Sequence, residues 1–125
     1  MSIKKQILKN NTVLITEPIA TSKTVAIGFW FSVGSRYEAE NQAGITHFVE
    51  HMIFKGTPTR TAYEIACSFD RIGGYVNAFT ERELVCLHCV VPSQYAEFAL
   101  EILTDMSQNA LFLEKSCIFV PASDY

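Results

Sequence analysis

The chain has 125 residues, with 10 Lys and Arg against 13 Asp and Glu, for a formal net charge of −3. That length holds one domain, and a weakly acidic chain without a basic run lacks the clustered cations that nucleic-acid binding requires. Hydrophobic residues make up 49% and charged residues 18%, enough to bury a core, yet no apolar run reaches the ~20 residues of a membrane-spanning helix.

The N-terminal stretch carries Lys4 and Lys5, but Asn10, Asn11 and Thr12 interrupt its apolar run. Without a continuous apolar segment it does not read as a secretory signal. The four cysteines (Cys67, Cys86, Cys89 and Cys117) then read as reduced thiols, and the expected location is cytoplasmic.

Residues 6–16 predict two short strand pieces around an Asn10-Asn11 turn. Residues 24–33, rich in β-branched and aromatic side chains, predict a mostly buried strand. A polar loop follows over 34–42. Ile45, Phe48, Val49, Met52 and Ile53 recur at helical spacing and predict a helix over 43–54, stopped by Gly56 and Pro58. Thr61 with Glu64 forms a capping box for a second helix, whose buried stripe is Ala62, Ile65, Ala66 and Phe69 and whose end is Gly73-Gly74. A phosphate loop is the poorer reading of that glycine pair, since no Lys-Ser or Lys-Thr follows it.

Residues 75–80 and 83–91 predict two strands of a hairpin. Ser93 is the expected cap of a third helix over 94–108, with Tyr95, Phe98, Ala99, Ile102, Leu103 and Met106 on its buried side. The order β-β-α-α-β-β-α predicts an α+β fold, a two-layer domain with helices packed on a mixed, largely antiparallel sheet.

The chemistry concentrates in His47-Phe48-Val49-Glu50-His51. At 100° per residue, and with Ile45 at zero, the apolar stripe runs from about 300° to about 80°. His47, Glu50 and His51 fall at about 200°, 140° and 240°, on one face roughly opposite that stripe. Two imidazoles at i and i+4 can aim ring nitrogens at a point about 2 Å from each, as a zinc ion requires. A carboxylate between them is placed to exchange a proton with a water on such an ion. The same three residues also fit a solvated or hydrogen-bonded polar face.

The order H-x-x-E-H is the inverzincin signature. With Gly34-Ser35-Arg36-Tyr37-Glu38, Gly44-Ile45-Thr46, Phe54-Lys55-Gly56-Thr57, Gly73-Gly74 and Asn77-Ala78-Phe79-Thr80, the chain resembles the N-terminal part of M16 (pitrilysin-type) zinc peptidases. The bacterial and mitochondrial processing-peptidase branch is the nearest in pattern. The resemblance covers roughly residues 3–114. It implies that His47 and His51 are Zn²⁺ ligands, that Glu50 is the general base, and that Asn77, Ala78, Phe79 and Thr80 form an edge strand holding a peptide substrate by main-chain hydrogen bonds. It also implies an unfolded polypeptide or peptide as substrate, and a second domain or subunit of the same fold as partner. Neither nucleic acid nor membrane is implied.

A catalytic zinc takes three protein ligands, and the family's third, a later Glu, is expected beyond Tyr125. The approach to its helix resembles Asn109-Ala110-Leu111-Phe112 and Glu114-Lys115, but Cys117-Ile118-Phe119-Val120-Pro121 replaces the family's acidic pattern, and Pro121 would break that helix. The expected organisation is a partial peptidase domain over 1–116 with a divergent tail over 117–125, as in a truncated or frame-shifted product. Two readings follow: a zinc metalloendopeptidase domain, incomplete in this chain, or an inactive remnant that binds peptides or pairs with a subunit of the same fold.

Other groups read as structural. Cys86 and Cys89 lie in a strand pattern, where alternation sends them to opposite faces. His88, on the Cys86 face, is expected to be a buried, hydrogen-bonded histidine. Arg36 and Arg82 read as loop cations. Glu81 and Glu83 are possible replacement carboxylates that no spacing places near His47.

Overall fold

The structure, a computed structural model, describes residues 2–112. The N-terminal strands β1 (Lys4–Ile7) and β2 (Val13–Thr16) pair antiparallel as a separate two-stranded sheet, with Lys4 opposite Thr16 and Ile7 opposite Val13. Asn11 takes a left-handed conformation (φ 65°) in the connecting turn, as Asn tolerates. Every described residue of this hairpin is exposed.

The main sheet has the order β3-β5-β4, all antiparallel, from β3 (Thr24–Phe31), β4 (Tyr75–Thr80) and β5 (Val85–Pro92). Helices α1 (Ile45–Met52), α2 (Ala62–Arg71) and α3 (Ala96–Gln108) complete the two layers. Alternation sends Leu87, Cys89 and Val91 of β5 and Ala78 of β4 to the inner face. There they pack with Ile53, Ile65, Phe69, Ala99, Ile102, Leu103 and Met106 in one buried cluster. The α+β expectation therefore holds, with purely antiparallel sheets among the described residues. No helix among them is long and apolar enough to cross a membrane.

Local signals place the helix ends. Thr61 accepts from the Glu64 backbone N–H (3.1 Å), while the Glu64 carboxylate accepts from the Thr61 N–H (2.7 Å), completing the capping box. At the far end Gly73 is left-handed (φ 73°), and the N–H groups of Gly73 and Gly74 donate to Asp70 and Phe69 carbonyls, a Schellman closure. The loop between α1 and α2 is tied down to α3: Thr57 Oγ1 and Arg60 Nη1 donate to Asp105 Oδ2 at 2.7 and 2.8 Å, and Arg60 Nη2 donates to Glu101 at 2.8 Å.

β5 lies between β3 and β4 and has both edges paired; β3 and β4 are the edges of this sheet. Several expectations are corrected. The segment expected as a mostly buried strand is one-sided: Trp30 is 65% exposed on the outer face, edge-to-face with Phe79 at 5.9 Å. Ser93 does not cap α3. It begins a 3₁₀ turn (Ser93–Tyr95), donates its N–H to the Lys23 carbonyl, and leaves Tyr95 at the cap position. Phe98 stays exposed on α3, and Ala66 on α2, so only part of each expected stripe is buried. Cys117, Glu114, Lys115, Pro121 and the 117–125 tail lie outside the described residues.

Candidate metal centre

Helix α1 has eight residues, too few to persist alone in water. Its N-terminus begins at Gly44, which is left-handed (φ 87°) and supplies no side chain to cap the helix. The missing acceptor comes from the preceding loop: Glu38 Oε2 accepts from the Gly44 N–H at 2.8 Å, and Oε1 from the Thr46 N–H at 2.9 Å. A carboxylate there satisfies orphan amides and faces the positive end of the helix dipole. Thr46, through its side chain and backbone, and then the Gly44 backbone lower the Glu38 pKa, so the carboxylate stays ionised at the helix start.

The loop carrying Glu38 is itself pinned to the turn between β4 and β5. Gly34 lies so close to that turn that a Cβ there would sit 2.3 Å from the Arg82 carbonyl oxygen. The Arg36 N–H donates to the same carbonyl at 2.9 Å, and the Arg36 guanidinium pairs with Glu83. Arg82 thus contributes its backbone, a role that no charge pattern signals.

The H-x-x-E-H face meets β4. His47, Glu50 and His51 are all half-buried, whereas Ile45 and Val49 of the apolar stripe are 46% and 39% exposed. Helical periodicity correctly put the three polar residues on one face. The expectation that this face points away from the protein body is corrected: α1 is rolled so that they face the sheet edge. The rings of His47 and His51 stand 4.8 Å apart between centroids with their planes at 44°. Glu50 Oε2 accepts a hydrogen bond from Thr80 Oγ1 at the end of β4.

A cleft of about 510 Å³ opens beside this group, lined by His47, Glu50, Glu38, Ala78, Phe79 and Thr80; Glu81 lines it too. His51 is not among its lining residues. β4 is hydrogen-bonded to β5 on one side, and its other edge runs along this cleft. On that strand the Ala78 N–H donates to Asn77 Oδ1 at 2.8 Å. Ala78, Phe79 and Thr80 thus share the cleft with His47 and Glu50, while Asn77, on the same strand, is not among its lining residues.

Two imidazoles one helical turn apart, with a carboxylate between them, suit a zinc ion in donor type and spacing. They would supply two of the three protein positions that a catalytic zinc takes. Among the described residues no group of three or more His, Cys, Asp or Glu side chains could hold a metal, so Glu81 shares the cleft without joining such a group. Cys86 and Cys89 behave as packing residues. Both are buried on opposite sheet faces, and burial raises both thiol pKa values. His88 is half-buried beside the Phe79 and Tyr75 rings, at 5.8 and 6.3 Å, rather than enclosed.

A family model described as Insulinase (Peptidase family M16) matches residues 13–118. An uncharacterised zinc protease, YmxG of Bacillus subtilis, is 45% identical over 123 residues, covering 94% of this chain and 30% of that protein. A probable mitochondrial-processing peptidase subunit beta from Arabidopsis thaliana is 39% identical over 108 residues, 86% of this chain and 20% of that one. A crystal structure of a protease from Helicobacter pylori superposes with a TM-score of 0.85 at 24% identity, over 92% of this chain and 28% of that one, and shares the fold. The chain thus spans under a third of the length of these relatives.

Proposed function

This chain belongs to peptidase family M16, and from that membership we propose that it forms the metal-holding and proton-handling part of a zinc-dependent endopeptidase acting on extended peptides. The observation that carries the proposal is the half-buried His47–Glu50–His51 face turned onto an open edge strand, with the two rings 4.8 Å apart. His47 and His51 would hold the ion, and a further carboxylate from outside the described residues would complete it. Zinc bound there would supply Lewis acidity, lowering the pKa of water toward ~7.

The chain's own residues account for the rest. The open edge of β4 offers main-chain groups to an extended peptide, which would add as a further antiparallel or parallel strand. A substrate carbonyl would compete with Asn77 Oδ1 for the Ala78 N–H. The Glu50 carboxylate, beside that edge, takes a proton from the attacking water and returns it to the leaving amine. Glu38 holds the helix start and so fixes where Glu50 and His47 stand.

The test is zinc titration by calorimetry on the full chain and on His47→Ala, His51→Ala and Glu50→Gln, followed by hydrolysis of an unfolded polypeptide. Loss of zinc binding in both histidine variants, with Glu50→Gln retaining zinc but not turnover, supports the proposal. Unchanged zinc affinity in His51→Ala refutes it. A second reading, a peptide-binding subunit without catalysis, is favoured by the lack of a third donor among the described residues. It predicts saturable peptide binding with no cleavage at any zinc concentration.

A further inference from the structure

We infer that Thr80 is a positioning residue for the proton-transferring carboxylate: its hydroxyl, donated to Glu50 Oε2, sets the orientation of that group relative to the strand that receives substrate. The inference rests on the proposed role of Glu50 and goes beyond the main-chain role of residues 77–80.

Thr80 is the last residue of β4. Strand alternation puts it on the inner face with Val76 and Ala78, toward α1, while Phe79 faces outward. Being β-branched, it has a restricted χ1, so its hydroxyl is a stiff donor. The turn that follows is closed by the Glu81 N–H donating to the Leu84 carbonyl at 2.8 Å, which fixes the strand end. Glu50, by contrast, is a long side chain on a helix face, with three rotatable bonds between its carboxylate and the backbone. One donor from the neighbouring strand removes most of that freedom.

The consequence is a division of labour within one residue. The main chain of β4 would take the peptide, and the Thr80 side chain would set the base that acts on it. The spacing between the scissile bond and the carboxylate is then defined by a single strand position, rather than by two separately mobile elements. Valine keeps the shape and β propensity of threonine and lacks the donor; serine keeps the donor and loses only a methyl.

Two measurements on the full chain test this. The first uses Thr80→Val and Thr80→Ser with carboxyl-¹³C-labelled glutamate, the Glu50 resonance being assigned by its disappearance in Glu50→Gln. Thr80→Val is expected to move that resonance, and Thr80→Ser to return it to the wild-type position. The second is polypeptide hydrolysis with zinc. Thr80→Val should lower kcat about 10-fold or more, the usual range for residues that orient a reacting group, with KM and zinc affinity unchanged, and Thr80→Ser should recover most of the loss. An unmoved Glu50 resonance in Thr80→Val overturns the inference, as does a loss of turnover that tracks KM or zinc affinity. Absence of turnover in the wild-type chain counts against the hydrolase reading, and the resonance comparison then decides the position of Glu50 on its own.

Discussion

Replacing Asp105 with Asn should destabilise the fold in a pH-dependent way. The Asp105 side chain is only 12% exposed. Burial pushes its pKa up, but donation from Thr57, Asn109, Arg60 and Thr59 outweighs burial and brings it down from an ordinary 3.8 to about 2. A carboxyl so shifted favours the charged native form by about 2 kcal/mol. Because the folded value lies below the unfolded one, this stabilisation is complete above pH 3.8 and is lost as the pH falls toward 2. Asparagine cannot carry the charge, and whichever way its amide is turned its NH2 meets a donor, Thr57 and Arg60 on one side or Asn109 on the other. Urea unfolding followed by circular dichroism should therefore show Asp105→Asn about 2 kcal/mol less stable than wild type at pH 7, with the gap closing as the pH approaches 2. A gap below about 0.5 kcal/mol at pH 7, typical of an exposed ion pair, would refute the reasoning. So would a gap that is the same at both ends of the pH range.

Other substitutions probe other links. Gly34→Ala should lower the melting temperature and move the amide resonances of 34–38 and 81–84 together, because its Cβ would overlap the Arg82 carbonyl; a silent substitution would mean the loop does not pack there. Thr61→Ala should cost about 1 kcal/mol in chemical denaturation through loss of the capping box. Leu103→Ala, at a fully buried core site, should cost about 2–5 kcal/mol, read by the same unfolding curves. Glu38→Gln should weaken zinc binding in calorimetry without touching either histidine, since it loosens the start of the helix that bears them.

Much of the fold was legible from local pattern. The capping box at Thr61, the Gly73-Gly74 stop and the strand alternation at 85–92 are each encoded within a few residues. The H-x-x-E-H spacing likewise shows that His47, Glu50 and His51 share a face. What that face meets is a different question. Periodicity assigns residues to sides of a helix and says nothing of how the helix is rolled against the sheet. Here the roll leaves Ile45 and Val49 half in solvent and turns the polar face inward. The contacts that build the site are also long in sequence: Thr80 reaches Glu50 across 30 positions, and Arg60 reaches Asp105 across 45. Glu38 is nearer, but it caps a helix from eight residues before Thr46, outside the short window in which capping signatures are read. Ser93 shows the converse, a favourable capping residue that is taken into a 3₁₀ turn ahead of α3 and so does not occupy the cap position of the helix.

The dependence of α1 on its surroundings has a kinetic consequence. An eight-residue helix started by Gly44 has little reason to form early in the folding chain. Its first amides are bonded only once Glu38 is in place, and Glu38 is in place only once the 34–38 loop has docked on the closed β4–β5 turn. That chain of contacts predicts that the helix bearing the histidines forms after the β4–β5 turn and the loop docked on it. Its amide protons should be the first among the three helices to exchange with solvent. The least self-sufficient of the three helices then lies where a metal would bind, and a bound ion would stabilise that helix.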